Sequence, residues 1–259
     1  MPTWDPNQYL QFADERTLPC RDLVRRINLN SPASIIDLGC GPGNSTAVIS
    51  ERWPNAKITG LDSSSEMITA ARRSQPKNNW IIGDITAWAQ SDEQTFDLVF
   101  SNAAMQWVND HSTAFVGLMR HVAPGGALAV QMPGNYDAPA HLLMRELAMS
   151  PGWKDRFPKG VREWHVHDLQ FYYDILAGHA RCIDLWATEY IHNMPEAGAI
   201  VEWYRGTGLR PFLDSLSTDT DRDRFTNEYG ARLRTVYPQQ SDGRVLFPFR
   251  RLFIVAYRK

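Results

Sequence analysis

The chain has 259 residues, 43% of them apolar, and sets 27 Lys and Arg against 29 Asp and Glu for a formal net charge of −2. That length suits one large α/β domain with an elaboration, and the slight acidity speaks against nucleic acid, whose phosphates demand a basic excess. No apolar run approaches the roughly 20 residues of a membrane span, and the opening Met1-Pro2-Thr3-Trp4-Asp5 carries no targeting pattern. Three scattered cysteines, Cys20, Cys40 and Cys182, give neither a disulfide framework nor a metal spacing. The expectation is a cytoplasmic protein of one domain that handles a small molecule, with nothing in the chain to specify an oligomer. Only five of the basic residues are lysines; the arginine excess reads either as carboxylate-gripping forks or as base composition and surface ion pairs.

Along the N-terminal segment Tyr9, Phe12 and Arg16 share one helical face, and Pro19 is expected to stop or bend the chain. Ile35-Ile36-Asp37 then reads as a buried strand, followed at once by Leu38-Gly39-Cys40-Gly41-Pro42-Gly43-Asn44 and a helical pattern. Glycines there permit a sharp turn and let a ligand lie against the backbone. The dinucleotide fingerprint needs a glycine at 44 and finds Asn44. That opposes an NAD-dependent oxidoreductase, while the carboxylate of Asp37 suits a cationic amino-acid ligand. The phrase Asp37-Leu38-Gly39-Cys40-Gly41-Pro42-Gly43 resembles the first motif of the Rossmann-like S-adenosylmethionine-dependent methyltransferases.

The resemblance implies a doubly wound, seven-stranded, mostly parallel sheet with its last strand antiparallel, and S-adenosyl-L-methionine as cofactor. It also implies that the N-terminal segment folds over the cofactor, with Tyr9, Phe12 and Arg16 beside its methionine end. After a short helix ending near Trp53-Pro54, Lys57–Asp62 is the second strand, and Asp62 stands where such folds place the carboxylate that accepts ribose hydroxyls. Ser63-x-x-Glu66 predicts a capping box, with Met67, Ala70 and Ala71 on the buried face behind it. Ser63 and Met67 therefore border the cofactor, although a core role for Met67 explains it equally. Trp80–Ile85 is the third strand; the resemblance implies that Asp84 meets the adenine amino group and that the backbone of Ile85 meets the ring.

Phe96–Asn102 is the fourth strand, and in this family its end faces cofactor and substrate. The Asn/Asp-Pro-Pro-aromatic motif of amino methyltransferases is replaced by Asn102-Ala103-Ala104-Met105-Gln106-Trp107, which removes the nucleic-acid branch. Asn102 is expected at the methionine end, and Gln106 and Trp107 on the substrate side. Asp110 or Ser112 caps a helix that Pro124-Gly125-Gly126 closes, and Ala127–Met132 is the fifth strand. Residues 134 to about 180 read as mostly helical and rich in aromatics. His165-x-His167 lacks a third ligand, so no metal is expected.

The sixth and seventh strands, Ile183–His192 and Phe247–Tyr257, are separated by an insertion containing Glu202-Trp203-Tyr204-Arg205-Gly206-Thr207-Gly208-Leu209-Arg210-Pro211-Phe212. This phrase resembles the trans-aconitate-methylating branch of the family, and its two arginines around a flexible Gly-Thr-Gly suit an acidic substrate; a plain helical cap is the other reading. The layout expected is a core at about 30–133, 181–194 and 247–259, with a helical substrate cap from 1–29, 134–180 and 195–246. The resemblance implies carboxyl O-methylation of an unsaturated tricarboxylate, trans-aconitate, with Arg16, Trp107, His165, Tyr204, Arg205 and Arg210 holding the substrate. Another small acid, a malonyl thioester on a carrier protein, and a cofactor-binding protein without activity are the alternatives.

Overall fold

The structure is a computed structural model, which describes residues 13–91, 94–158, 160, 161 and 164–259, apart from the side chains of 13–16. Its contacts divide it into two compact units. The first comprises Ala13–Gly134, His165–Thr188 and Arg251–Lys259; the second includes Asn135–Trp164 and Glu189–Arg250.

Seven strands form one sheet: β1 Ser34–Leu38, β2 Lys57–Asp62, β3 Asn79–Ile82, β4 Phe96–Asn102, β5 Val122–Pro133, β6 Ala180–Met194 and β7 Val245–Arg258. Their order is β3-β2-β1-β4-β5-β7-β6. β1 to β5 run parallel and β7 lies antiparallel to β5, as the sequence leads one to expect. The order reverses between β1 and β4, and the carboxyl ends of strands at such a reversal are where doubly wound sheets bind ligands.

Strand alternation decides which side chains reach that edge. Ile36, Leu38, Val99, Leu128, Val130 and Met132 enter the larger apolar core of the first unit. Asp37, Phe100, Asn102, Ala129 and Gln131 occupy the alternate positions and project from the opposite face. The N-terminal helix Ala13–Arg26 packs against β5. It continues through Pro19, because Cys20, Leu23 and Val24, with Ile27 just past its end, give it a buried stripe that outweighs the one lost backbone hydrogen bond.

Several element boundaries differ from the sequence reading. β3 stops at Ile82, and Asp84 instead caps the helix Ile85–Ala89. The cap of the helix Ser65–Ser74 is Ser64, not Ser63, because the hydroxyl of Ser64 accepts the Met67 N–H at 3.2 Å. β5 begins at Val122, paired to Phe96 before a register shift, so Pro124-Gly125-Gly126 lies within the strand. Between 134 and 180 the α-helices are Pro139–Ala148 and Leu169–Ala177 alone among the described residues. The intervening segment relies on aromatic packing.

In the second unit, helices Ala197–Arg205, Arg210–Asp214 and Asp219–Val236 fill the stretch between β6 and β7. They share a core with Trp153, Phe157, Phe225, Tyr229, Phe247 and Phe249. No described helix is long and apolar enough to cross a membrane.

Candidate functional site: a glycine loop and three carboxylates

The chain leaves β1 with Gly39 at φ 68° and Gly41 at φ 56°, backbone conformations that L side chains rarely adopt. A Cβ on Gly39 would stand 2.2 Å from that of Ala104, so the residue must be glycine on two counts; a Cβ on Gly41 would meet nothing within 4 Å. The loop is therefore packed on one side and open on the other. The amides of Gly39 and Cys40 donate to the Leu61 carbonyl at 2.7 and 3.1 Å, fastening the loop to β2. Asp62, at the end of β2, accepts the Gly41 N–H on Oδ2 and the Ser64 N–H on Oδ1, each at 2.9 Å. One carboxylate thus holds two loops and keeps lone pairs to spare. Burial raises its pKa, with the N–H bonds from Ser64, Gly41 and Ser63 opposing.

Asp37 is wholly buried beneath this loop. Its Oδ2 accepts the hydroxyls of Ser45 and Thr46, both at 2.6 Å, while Oδ1 has no hydrogen-bond partner among the described residues. Burial pushes its pKa up to about 6, opposed by the bonds from Ser45 and Thr46 and reinforced by the charge of Asp62. A buried acceptor in that condition calls for a cation or a donor. Ser45 and Thr46 received no role from the sequence. Their signal was a pair of hydroxyls eight and nine positions after a strand acid, at the start of the next helix.

Asp84 and Ile85, just after β3, and Asn102, at the end of β4, follow at the same edge. The amide of Gly83 donates to the Asp62 carbonyl at 3.0 Å, and Ile85 Cδ1 lies 3.5 Å from where a Gly39 Cβ would stand. Asp84 is exposed and accepts the Ala87 N–H at 3.0 Å; Ser63 is exposed and Met67 buried. At the end of β4, Asn102 keeps a buried Oδ1 with no hydrogen-bond partner among the described residues, and Ala103 adopts φ 55°. For a residue with a Cβ that conformation is uncommon and marks a site the surroundings over-determine. Trp107 is half-buried in the short turn Met105–Trp107, and His165 is exposed. No group of three or more ligating side chains that could hold a metal occurs among the described residues.

Tyr204, Arg205 and Arg210 belong to the second unit. The Tyr204 hydroxyl accepts from Asn135 Nδ2 at 3.1 Å, and its ring stands edge-on to His141 at 4.9 Å between centroids. Tyr136 lies against His141 at 4.8 Å and stacks on Trp164 at 4.9 Å. Burial drives the His141 pKa down to about 3, with Arg145 adding repulsion, so its imidazole is neutral. Asn135 and His141, which meet Tyr204, and Tyr136, which meets His141, escaped the sequence reading because only the fold brings them together.

The Gly-Thr-Gly is not a flexible hinge. The Tyr204 carbonyl accepts the amides of Thr207 and Leu209, both at 2.9 Å, and a Cβ on Gly208 would come within 3.1 Å of Tyr204 and His141. Arg205 Nε is 3.0 Å from a Glu202 oxygen, and Arg210 Nε is 3.6 Å from an Asp214 oxygen. Tyr9 and Phe12 lie outside the described residues, as does the side chain of Arg16.

Fold and loop together define a Rossmann-like methyltransferase, the class whose methyl donor is S-adenosyl-L-methionine. A family model described as a methyltransferase domain matches residues 35–126, which contain the glycine loop and all three carboxylates. The YcgJ protein of Bacillus subtilis superposes with a TM-score of 0.61 at 14% identity, covering 93% of this chain and 98% of that one. Phosphoethanolamine N-methyltransferase 2 of Haemonchus contortus gives 0.57 at 16% identity, covering 98% and 57%. Both likenesses are of fold. Sequence is more specific: trans-aconitate 2-methyltransferase of Azoarcus sp. is 51% identical over the full length of both chains, and that of Rhodopseudomonas palustris 43%. The chain belongs to the trans-aconitate 2-methyltransferase family. The oxidoreductase alternative falls with that assignment.

Proposed function

We propose that this protein transfers the methyl group of S-adenosyl-L-methionine to a carboxylate oxygen of trans-aconitate, giving the monomethyl ester and S-adenosyl-L-homocysteine in the cytoplasm. The observation that carries the substrate reading is identity of 51% over the whole chain, both units included, to a relative bearing that name.

The residues present fit the cofactor. The orphaned Oδ1 of Asp37 suits an ammonium, the spare lone pairs of Asp62 suit a pair of ribose hydroxyls, and the open side of Gly41 admits a ligand against the main chain. Gly39 and Gly43 complete the loop. Asp84 and Ile85 are assigned to the adenine, Ser63 and Met67 to its borders, and Asn102 to the methionine end. Bound there, the cofactor supplies an electrophilic methyl on a sulfonium.

The chain has little chemistry left to perform. A carboxylate, with an ordinary pKa near 4, is already a nucleophile at neutral pH, so no side chain need remove a proton. The protein's contribution is orientation and the exclusion of water. Arg205 and Arg210, with Arg16 and His165, are assigned to the substrate's other carboxylates, and Tyr204 and Trp107 to the lining of the substrate side; Arg205 must exchange Glu202 for the ligand. Turnover of methyl-labelled S-adenosyl-L-methionine across trans-aconitate, cis-aconitate, citrate and isocitrate tests the reading. Preference for trans-aconitate with a monoester product is expected, and methylation of none of them, or of all alike, refutes it.

A further inference from the structure

Asn102 and Gln131 are neighbours near the carboxyl ends of β4 and β5, Gln106 follows in the turn after β4, and the cofactor and arginine assignments leave both glutamines unused. Gln131 is wholly buried, and neither its Nε2 nor its Oε1 has a hydrogen-bond partner among the described residues. Asn102 is its cross-strand neighbour, so the two side chains stand on one face. Gln106 donates from Nε2 to the Ala103 carbonyl at 2.6 Å and leaves a buried Oε1 unpartnered. The amide of Ala103 donates to the Gln131 carbonyl at 2.8 Å. The left-handed Ala103 thus ties both glutamines to the end of β4.

A buried amide satisfied at neither end is costly, and an apolar side chain of that length would fill the same space without the cost. Its register partners are Asn102 on one side and Phe253 on the other. With neither end hydrogen-bonded among the described residues, the amide can present its N–H to a ligand without giving up a bond. Two properties suit it to the reacting group rather than to a spectator carboxylate. It is neutral at every working pH, so it adds no charge where an anion must be consumed. One N–H also orients a single oxygen, whereas an arginine fork would grip both and bind the ground state as tightly as the transition state.

We infer that Gln131 orients the reacting carboxylate, donating from Nε2 to the oxygen that does not attack; this rests on the carboxyl-methylation reading above. The oxygens of Asn102 and Gln106 complement positive charge instead, so the cluster suits a meeting of cation and anion.

The test is calorimetric binding of trans-aconitate to the protein loaded with S-adenosyl-L-homocysteine, for the wild type, Gln131→Met and Gln131→Glu. Gln131→Met should melt no lower than wild type, bind S-adenosyl-L-homocysteine unchanged, and bind trans-aconitate roughly tenfold to a hundredfold more weakly, the usual loss for a hydrogen bond to a charged group. Gln131→Glu, isosteric but anionic, should bind trans-aconitate worse still at neutral pH and recover as the pH is lowered and the new carboxyl takes up a proton. Each affinity is compared with that of the wild type at the same pH, so that protonation of trans-aconitate itself cancels. Should Gln131→Met fail to fold, Gln131→Glu in its protonated range carries the comparison. Unchanged trans-aconitate affinity in either variant overturns the assignment, as does a parallel loss of S-adenosyl-L-homocysteine affinity. A wild type that binds no trans-aconitate sinks the substrate reading itself and the assignment with it.

Discussion

Replacing Asp37 by Asn should make the unliganded protein more stable and the cofactor complex weaker. Burial raises this carboxyl from 3.8 to about 6. The rise makes its ionised form a burden of about 3 kcal/mol at neutral pH. Asn keeps an oxygen for Ser45 and Thr46 but places an N–H where Oδ1 now lacks a partner, and that unpaired donor costs about 1–3 kcal/mol. The net gain is about 1 kcal/mol, or roughly 2–4 °C in melting temperature for a chain of this size.

The sign is checkable because the folded pKa lies above the unfolded one. The burden is absent below pH 3.8, grows as pH rises, and is complete above about 6, so the advantage of Asn should follow that window. For the cofactor, loss of a charge-assisted hydrogen bond to an ammonium should cost about 2 kcal/mol, roughly thirtyfold in affinity. With wild type near pH 6, binding should release about half a proton, since a cation returns the half-protonated carboxyl to its ionised form. Calorimetry in two buffers of different ionisation enthalpy measures that number. A variant that melts lower than wild type while binding the cofactor normally would refute the reasoning.

Asp62→Ala should weaken cofactor binding by about 2 kcal/mol or more. Because the same carboxylate holds the amides of Gly41 and Ser64, faster hydrogen exchange across Gly39–Gly43 should accompany the loss; calorimetry showing wild-type affinity would sink this. His141, neutral with its pKa lowered to about 3, favours protonation only in the unfolded chain, so stability should fall as pH drops below its ordinary 6.5, by roughly 2–3 kcal/mol near pH 4.5. His141→Phe should flatten that part of the pH–stability curve, and an unaltered curve counts against a buried neutral ring. Arg210→Leu should raise the KM for trans-aconitate about tenfold with cofactor affinity intact, and Arg210→Lys should recover little because the fork is gone. Equal losses towards mono-, di- and tricarboxylates would make Arg210 structural.

The parts of this protein that declare themselves in sequence are those fixed by short-range chemistry. Asp37 followed by alternating glycines gave away a strand, a turn and an open ligand face within seven residues, and Asp62 followed from strand spacing. Ser64 displaced Ser63 as cap because both offer a hydroxyl one residue apart, and the choice depends on where β2 ends. Asp84 looked like a strand end because Ile81 and Ile82 precede it, yet the sheet edge leaves those two exposed, at 47% and 53%. Gln131 could not be singled out at all. Its lack of partners is a property of β4, β5 and β7 side by side, and the Asn135–Tyr204 bond spans 69 positions. The ion pairs of Arg205 and Arg210 were legible in principle, since Glu202 and Asp214 stand at helical spacings of three and four.

Those ion pairs bear on how a trianion can be held at all. A sulfonium and a carboxylate lose their charges as the methyl group moves, so a site that stabilises either charge strongly opposes the reaction. On the proposed assignment the first unit avoids this: the carboxylates Asp37 and Asp62 stand on β1 and β2, while the neutral amides Asn102 and Gln131 stand at the end of β4 and two residues before the end of β5. In the second unit the arginine charge is partly spent in advance. Arg205 and Glu202 are each more than a third exposed, and a pair so hydrated contributes at most about 1 kcal/mol. Breaking it for a substrate carboxylate therefore costs little, whereas an unpaired buried guanidinium would have destabilised the fold before any ligand arrived. On the proposed assignment, Glu202 occupies the place of a substrate carboxylate until the ligand arrives. On this argument Glu202→Gln should tighten the tricarboxylate modestly and leave the cofactor untouched, and a looser tricarboxylate would place Arg205 outside the site.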